Sequence, residues 1–385
     1  MRIRVALFIG SLGGGGAQRH VSLLAPRLDP ARFEVVVLCR ERRGEYLDEL
    51  LAAGIEVLEH ASAGPLYGPR SLLAIGALAR ILRRRRIDVL HSFLFECNVQ
   101  GILAGTLAGR GVRTVAGLRN MDDKYGPKRL RAYVELLRRA DGVVAVCDAV
   151  RRRFIERGLD PARVAVVENG VEAGTHAGPE HRAIAQAALG GAWPGSPLVV
   201  VLASLHPRKG LDHFLRAVAR IAPQVPGARF VIAGEGPSRA ELTALRRDLG
   251  LDDRVALPGS LRPVREILAA SDLFVLSSLE EGISNALLEA QAEGVPAVVT
   301  DVGGNAEVVA HGRTGLVVPP ADPEALAGSM LDLLLDEPRR RAMGAAALER
   351  TRTHFGLDTM ARRMESYYEA LVGAPAGDAV IAKTR

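Results

Sequence analysis

The chain has 385 residues, of which 48% are apolar and 24% charged, and its net charge is +6. This length and composition predict a globular protein of two or three domains. The low aromatic content, 4%, disfavours a stacking platform for single-stranded nucleic acid, and no apolar run reaches the roughly 18–20 residues of a membrane-spanning helix. We therefore expect a cytoplasmic protein that does not bind nucleic acid.

Metal-binding and disulfide patterns are missing from the sequence. Cys39, Cys97 and Cys147 stand far apart and form no Cys-x-x-Cys pair, and the nine histidines show no His-x-x-x-His spacing. We therefore expect no metal site and no disulfide scaffold. We also expect no bound cofactor.

The positive charge is concentrated in the first half of the chain. Residues 1–170 carry 28 Lys and Arg against 18 Asp and Glu, whereas residues 171–385 carry 22 against 26. The densest basic runs are 83–86 and 151–153. This asymmetry favours an anionic partner, for which we expect the inner face of the cell membrane. The alternative is that the arginines form an ordinary solvated face.

Taken in chain order, short apolar runs alternate with amphipathic segments in the first half. The predicted strands are 5–9, 33–38, 89–91, 114–118, 143–146 and 164–167. The predicted helices are 18–28, 71–85, 98–107 and 129–139. Strands rich in Val, Ile and Leu that alternate with helices predict a parallel sheet with right-handed crossovers.

Residues 174–196 interrupt this alternation, are rich in Gly and Pro, and are predicted to form a linker. The alternation then resumes. The next predicted strands are 198–203, 229–233, 255–257, 273–276 and 297–300. The predicted helices are 211–221, 238–249, 264–269, 285–293, 323–335, 339–353 and 358–371.

These elements predict an α/β protein of two Rossmann-like, doubly wound parallel-sheet domains, 1–173 and 197–355. Residues 356–372 are expected to form a C-terminal helix that packs back on the first domain, and 373–385 a tail. Ligands of such sheets bind beyond the carboxyl ends of the strands, and we expect the site in a cleft between the two domains.

A glycine-rich loop, with Gly14, Gly15 and Gly16 at its centre, follows the first predicted strand. The dinucleotide fingerprint Gly-x-Gly-x-x-Gly does not fit in any register, and Arg40 stands where a ribose-binding acid is expected after the second strand. A nicotinamide-dependent enzyme is therefore disfavoured. The loop favours close approach of a substrate to the backbone, or else is flexible and binds nothing.

Three segments of the second half follow predicted strands. Arg208 and Lys209 come after the first of them, and Gly234-Glu235-Gly236 after the second. Glu281, Gly282, Ile283, Ser284 and Asn285 lead into a predicted helix that carries Glu289, with Ser284 as its N-cap. Carboxylates that bracket a helix N-terminus suit a diphosphate on the backbone N–H groups and sugar hydroxyls on the carboxylates. The alternative is a well-capped helix with two surface glutamates.

The order of these motifs, followed by Thr300-Asp-Val-Gly-Gly304 with Glu307 and by residues 312–319, resembles glycosyltransferase family 4. In the first half the glycine-rich loop, residues 88–91 and residues 169–171 add weaker similarity. The resemblance implies the GT-B fold and a retaining, metal-independent enzyme of the bacterial cell-envelope or polysaccharide type. It would transfer a sugar from a nucleotide-diphosphate donor to a hydroxyl of a glycan or lipid-linked acceptor.

The resemblance also implies roles for the donor-side residues. Lys209 would neutralise the leaving diphosphate. Glu281 and the backbone of 282–285 would hold the donor sugar, and Glu289 the ribose. The backbone around Gly234 would admit the base and the phosphates.

The sequence departs from the family pattern at two positions. Ser204 stands where the family usually has an Arg beside the phosphates, so that Arg208 is the expected substitute. Arg119 directly follows the predicted strand 114–118, at a position where the family often has a His. His91 is then either the contact to the sugar or acceptor, or an ordinary strand-end histidine. Two other classes stay open, a sugar-nucleotide epimerase with the same fold and a catalytically silent binding protein.

Overall fold

The structure is a computed structural model that describes residues 2–60, 68–109, 111–122, 125–174, 179–189 and 197–374. It divides into two compact units. Unit 1 combines Met1–Gly170 with Leu357–Arg385, and unit 2 is Val171–Gly356.

Unit 1 is built on a parallel sheet that has seven strands among its described residues. The strands are β1 (Ile3–Ile9), β2 (Phe33–Cys39), β3 (Glu56–Glu59), β4 (Val89–Phe93), β5 (Arg113–Leu118), β6 (Gly142–Ala145) and β7 (Val164–Val166). Their spatial order is β3-β2-β1-β4-β5-β6-β7. The chain order therefore reverses between β1 and β4, and this switch point is where doubly wound sheets bind ligands.

Helices connect these strands, as the alternation predicted. They are α1 (Gly16–Leu24), α2 (Leu47–Ala52), α3 (Pro69–Arg84), α4 (Phe95–Ala108), α5 (Pro127–Leu137) and α6 (Asp148–Glu156). The strand β3 and the helices α2 and α6 were not predicted from the sequence. β3 carries a glutamate at each end and is a short edge strand, so it lacks the apolar run by which the other strands were found.

Unit 2 repeats this plan with a parallel sheet of six strands in the described part of the chain. The strands are β8 (Leu198–Leu202), β9 (Arg229–Ala233), β10 (Val255–Gly259), β11 (Leu273–Leu276), β12 (Ala297–Thr300) and β13 (Gly315–Val318). The spatial order β10-β9-β8-β11-β12-β13 places the switch point between β8 and β11. Two doubly wound parallel sheets confirm the predicted fold class.

The helices of unit 2 extend from within the predicted linker to the end of the unit. They are α7 (Pro179–Ala188), α8 (Leu211–Ile221), α9 (Arg239–Asp248), α10 (Val264–Ala269), α11 (Asn285–Ala292), α12 (Asn305–Val308), α13 (Pro323–Leu335) and α14 (Glu337–His354). None of the described helices of the chain is long and apolar enough to cross a membrane.

The predicted linker, 174–196, contains helix α7. This helix packs against α10 and buries Ala185. The Gly and Pro residues on both sides led the sequence analysis to overlook a short Ala-rich segment with good helix propensity. The other parts of the predicted linker, 175–178 and 190–196, lie outside the described residues.

The chain ends in α15 (Leu357–Gly373), which belongs to unit 1. Its Met364, Tyr367 and Tyr368 are fully buried in the core of that unit. The carboxylate of Glu365 accepts hydrogen bonds from the backbone N–H of Asp29, at 2.8 Å, and from Arg32. The helix reaches Gly373, the first residue of the predicted tail, and residues 375–385 lie outside the described part.

Candidate active site

Unit 2 brings Lys209 and Glu281 together at the switch point of its sheet. Lys209 ends the 3-10 turn Pro207–Lys209 after β8, and Glu281 lies in the loop after β11. Because β8 and β11 are paired in parallel, the loops that follow them lie side by side at the carboxyl edge of the sheet. The Lys209 ammonium donates a hydrogen bond to Oε1 of Glu281, and the two side chains are 13% and 9% exposed. Two residues that the sequence places in the site therefore form an ion pair.

Hydroxyl groups connect this ion pair to the sheet. Ser278 Oγ donates to the same Glu281 oxygen at 2.8 Å, and Ser277 Oγ donates to the carbonyl oxygen of Lys209 at 3.0 Å. Thr300, the last residue of β12, donates to the carbonyl oxygen of Ser278 at 2.6 Å. These three were not predicted as site residues, although hydroxyl residues at the carboxyl ends of buried strands are a usable signal. They fix the positions of the two charged groups.

Two glycines permit the loops around the ion pair to pack in contact. Gly210 has φ +56°, and a Cβ there would lie 2.2 Å from the carbonyl oxygen of Ser277. Gly303 has φ +55°, and a Cβ there would lie 2.2 Å from the carbonyl oxygen of Glu281. Any larger residue would push one of these loops away from its neighbour.

Helix α11 begins four residues after Glu281. Ser284 is its N-cap, as predicted, and its hydroxyl accepts a hydrogen bond from the N–H of Leu287 at 3.3 Å. Gly282 and Ile283 are buried, and the carbonyl of Gly282 accepts from the N–H of Gly304 at 2.7 Å. Glu289 is the fifth residue of α11 and is partly buried. The N-terminus of α11 therefore adds its partial positive charge beside the Lys209–Glu281 pair.

The segment Gly234-Glu235-Gly236 follows β9 and contacts the loop after β8. Gly234 has φ +145°, and a Cβ there would lie 1.9 Å from the carbonyl oxygen of Ala203. The carbonyl of Glu235 accepts from the N–H of Leu205 at 2.9 Å, and its carboxylate pairs with Arg239 at 3.0 Å. The predicted donor-binding segments after β8, β9 and β11 therefore lie side by side in unit 2.

Arg208 differs from its neighbour Lys209. Its side chain is exposed and forms no ion pair or hydrogen bond with the described residues, whereas its carbonyl accepts from the N–H of Leu279 at 2.8 Å. Ser204, the position at which the family usually has an Arg, is also exposed. Arg208 thus has a guanidinium that is not committed to any described group.

The glycine-rich loop of unit 1 packs against the segment after β2. The N–H of Leu12 donates to the carbonyl of Arg43 at 2.9 Å, and a Cβ on Gly14 would lie 2.9 Å from Oε1 of Glu45. Gly15 is the extended N-cap of α1, and Gly16 is the first residue of that helix. The loop that the sequence singled out is therefore placed beyond β1, at the switch point of its sheet.

His91 belongs to the core of unit 1 and is not a strand-end residue. It is the third of the five residues of β4, is 1% exposed, and its Nδ1 forms a 2.7 Å hydrogen bond with the hydroxyl of Tyr368 in α15. Its ring stacks on Phe93 with centroids 4.2 Å apart. Burial lowers its pKa to about 3, so the ring is neutral at neutral pH. The sequence predicted this strand to end at His91. The strand continues to Phe93, so His91 lies in its middle and is buried.

Arg119 follows β5 and is partly buried. Its guanidinium donates to Oδ1 of Asn169, a residue after β7. Burial lowers the pKa of Arg119 to about 9, which leaves it charged at neutral pH. The neighbouring His20 has a pKa well below 6.5, chiefly through burial and then through the charge of Arg119. His20 and Asn169 were not among the predicted site residues, and only the fold shows that they are near Arg119.

Among the residues that the structure describes, no group of three or more His, Cys, Asp or Glu side chains is arranged to hold a metal ion.

The chain is similar to known glycosyltransferases. The family model Glycosyltransferase Family 4 matches residues 14–174, and the model Glycosyl transferases group 1 matches residues 196–336. The solved structure of Anabaena Alr3699/HepE in complex with UDP and glucose superposes with a TM-score of 0.84 at 22% identity, covering 97% of this chain and 100% of that one. The two units thus have the fold of GT-B glycosyltransferases.

Curated relatives of similar length have related names. D-inositol 3-phosphate glycosyltransferase of Kineococcus radiotolerans is 30% identical, covering 94% of this chain and 92% of the relative. The GDP-mannose-dependent alpha-(1-6)-phosphatidylinositol monomannoside mannosyltransferase of Mycobacterium tuberculosis is 29% identical, covering 92% and 94%. The chain belongs to glycosyltransferase family 4 and is a glycosyltransferase.

A further relative is much longer than this chain. Exopolysaccharide phosphotransferase SCO2592 of Streptomyces coelicolor is 39% identical over 66% of this chain, and the match spans 26% of that relative.

Proposed function

We propose that this glycosyltransferase transfers a sugar from a nucleotide-diphosphate donor to a hydroxyl of a glycan or lipid-linked acceptor, with retention of the anomeric configuration and without a metal ion. The observation that carries the proposal is the partly buried Lys209–Glu281 pair at the switch point of unit 2. A lysine at this edge is placed to neutralise a departing diphosphate, together with the N-terminus of α11.

The ion pair also suggests which groups would contact the bound donor. In the structure, Glu281 compensates the charge of Lys209. A donor diphosphate would supply that compensation instead, and the Glu281 carboxylate would then accept hydrogen bonds from the hydroxyls of the donor sugar. Glu289 would hold the ribose, and the Gly234–Gly236 backbone would face the base and phosphates. Arg208 would add a second positive charge.

The test is nucleotide release from a panel of UDP-, GDP- and ADP-sugars, with and without acceptors. A transferase releases nucleotide faster when an acceptor is added. An epimerase-like enzyme releases it at the same rate without one, and a silent binding protein releases none. The names of the relatives do not favour either of the last two.

Retention and metal independence have their own tests. NMR of the first-formed product gives the configuration of the new bond, and an inverted product would exclude retention. Activity in EDTA tests the metal. If EDTA abolishes the activity and Mg²⁺ or Mn²⁺ restores it, Lys209 and the helix N-terminus do not suffice to stabilise the leaving group.

Helix α3 favours an acceptor at an anionic membrane surface. Ile75, Leu78 and Leu82 are buried against the sheet, whereas Leu72 and Leu73 are 71% and 74% exposed. The same helix carries four exposed arginines, Arg70, Arg80, Arg83 and Arg84. Apolar side chains next to arginines suit a headgroup region, where each basic residue contributes about 1 kcal/mol.

The basic run 151–153 is already compensated within unit 1. Arg151 and Arg152 pair with Asp148, and Arg153 pairs with Glu156. Arg129 of α5 stacks on the rings of Phe95 and Tyr125 at 4.7 and 4.5 Å. Lys128, Arg131 and Arg139 are also exposed, but neither α5 nor α6 has an exposed large apolar side chain, so α3 is the membrane-facing candidate.

Co-sedimentation with vesicles of phosphatidylglycerol or phosphatidylcholine tests this part. The double variant Leu72→Gln/Leu73→Gln should lose binding to the anionic vesicles, whereas Leu335→Gln, at a 67% exposed position of unit 2, should keep it. Equal binding to both lipids, or none at low salt, would point to an acceptor in solution.

A further inference from the structure

Arg119 is a partly buried cation without an acidic partner. Its guanidinium donates to the neutral amide oxygen of Asn169, and within the described part of the chain it forms no ion pair with a carboxylate. A guanidinium has five N–H donors. Withdrawing this charge from water costs free energy that a hydrogen bond to a neutral amide does not restore.

The groups around Arg119 do not supply the missing negative charge. His20 and His91, which interact electrostatically with Arg119, are held neutral by burial at neutral pH. Cys147 interacts electrostatically with Arg119, and Asn169 accepts its hydrogen bond. The acids next to them in sequence, Asp148 and Glu168, pair with Arg151 and Arg363 respectively.

The location is one where ligands bind. Arg119 directly follows β5, at the carboxyl edge of the sheet of unit 1. Its partial exposure leaves it accessible, and Asn169 fixes one end of the guanidinium while the rest of the fork stays available. A planar fork of this kind suits the paired oxygens of a carboxylate or a phosphate.

We propose that Arg119, aligned by Asn169, binds an anionic oxygen group of the acceptor, a carboxylate or a phosphate. This inference rests on the proposed function, because it takes the donor diphosphate to be bound by Lys209 and α11 in unit 2. Arg119 is then a specificity residue that selects acidic acceptors over neutral ones of the same shape.

The test measures binding to the full chain by ligand-observed NMR, with two pairs of probes that differ in one anionic group. The first pair is D-inositol 3-phosphate and inositol, and the second is methyl glucuronoside and methyl glucoside. The wild type should bind the charged member of at least one pair about 10-fold more tightly or better, and which pair shows the preference distinguishes phosphate from carboxylate. Loss of one charge-assisted contact corresponds to roughly 10- to 100-fold in Kd.

The variants assign the preference to Arg119. Arg119→Gln should abolish it, and Arg119→Lys should keep part of it, since an ammonium retains the charge without the fork. Asn169→Ala should weaken it, whereas Arg139→Gln, at an exposed position in the same unit without described side-chain contacts, should leave it unchanged. Binding of UDP and GDP shows that each variant is folded.

A wild type that binds both members of each pair equally would overturn the inference, as would a preference that survives in Arg119→Gln. These outcomes are separate from failure of the proposed function. A chain that prefers the anionic probe through Arg119 but turns over no nucleotide sugar contradicts only the proposed transfer.

Discussion

The ammonium of Lys209 and the hydroxyl of Ser278 donate to the same carboxylate oxygen of Glu281. One oxygen atom thus joins the loop after β8 to the loop after β11, across the switch point of the sheet. Both the charge of the site and its geometry depend on this contact. Substitutions of Lys209 and of Glu281 distinguish the two effects.

Lys209→Ala should reduce kcat by about 10²- to 10³-fold, because it removes a preorganised charge that stabilises the leaving diphosphate. Donor affinity should fall as well. Steady-state kinetics with the donor identified from the panel gives both values. Lys128→Ala removes an exposed lysine of unit 1 and should leave them unchanged. A Lys209→Ala variant that alters only acceptor affinity would place Lys209 away from the phosphates.

Glu281→Ala should lose about 10- to 150-fold in kcat/KM, the effect of removing a hydrogen-bonded carboxylate. Glu281→Gln keeps an acceptor for Ser278 but not the charge, so its loss should be smaller. Glu280→Ala, one residue earlier, is the matched control. Full activity in a well-folded Glu281→Ala would show that this carboxylate does not hold the donor sugar.

Gly303→Ala should damage the site more than Gly312→Ala does. Both glycines have positive φ, +55° and +75°, so both substitutions carry about 1–2 kcal/mol of backbone strain. Only at Gly303 would the new Cβ meet a neighbour, the carbonyl oxygen of Glu281 at 2.2 Å, whereas Gly312 faces open space. Thermal unfolding and kcat/KM are measured for both variants. The difference between the two variants gives the effect of the steric clash at Gly303. Equal losses of stability and of kcat/KM in the two variants would mean that the Glu281 loop accommodates the new Cβ without damage to the site.

His91→Gln should make stability less dependent on pH. The pKa of His91 is about 3 in the folded chain, against about 6.5 when unfolded. Between these values the unfolded state binds a proton that the folded state does not. The free energy of unfolding therefore falls by about 1.4 kcal/mol per pH unit as the pH drops below about 6.5. Above about pH 6.5 both states leave this histidine neutral, so it causes no further change in the free energy of unfolding.

Urea denaturation at several pH values between about 4.5 and 6.5 measures that slope. His91→Gln should reduce it by about one proton and keep a hydrogen-bonding group near Tyr368. His354→Gln, at an exposed position, should retain the slope of the wild type. An unchanged slope in His91→Gln would mean that the buried ring is already protonated in the folded chain.

The sequence predicted most of the fold because buried parallel strands have apolar runs that are read directly. Three strands of unit 2, Arg229–Ala233, Leu273–Leu276 and Ala297–Thr300, match the predicted bounds. The strand β3, which has a glutamate at each end, and the helix α7 between Gly- and Pro-rich segments were missed because local composition hid them.

The candidate site was predictable where one segment contains the whole motif, as for Glu281 and its N-cap Ser284. It was not predictable where the fold joins distant segments. His91 meets Tyr368 because the fold brings α15 to β4, and Arg119 meets Asn169 because it brings the segment after β7 to the residue after β5. Burial then decides that His91 is a neutral core residue, which its position near a predicted strand end did not show.

The most direct measurement of the central claim is the glycosylated product itself. The wild type, Lys209→Ala and Lys128→Ala are incubated in EDTA with each nucleotide sugar and with D-inositol 3-phosphate or a lipid-linked glycan. Mass spectrometry then detects the acceptor with one added sugar, and NMR gives its anomeric configuration. The account predicts a product of retained configuration from the wild type and Lys128→Ala, and about 10²- to 10³-fold less from Lys209→Ala. An undiminished yield from Lys209→Ala, or nucleotide release that never produces a glycosylated acceptor, would contradict it.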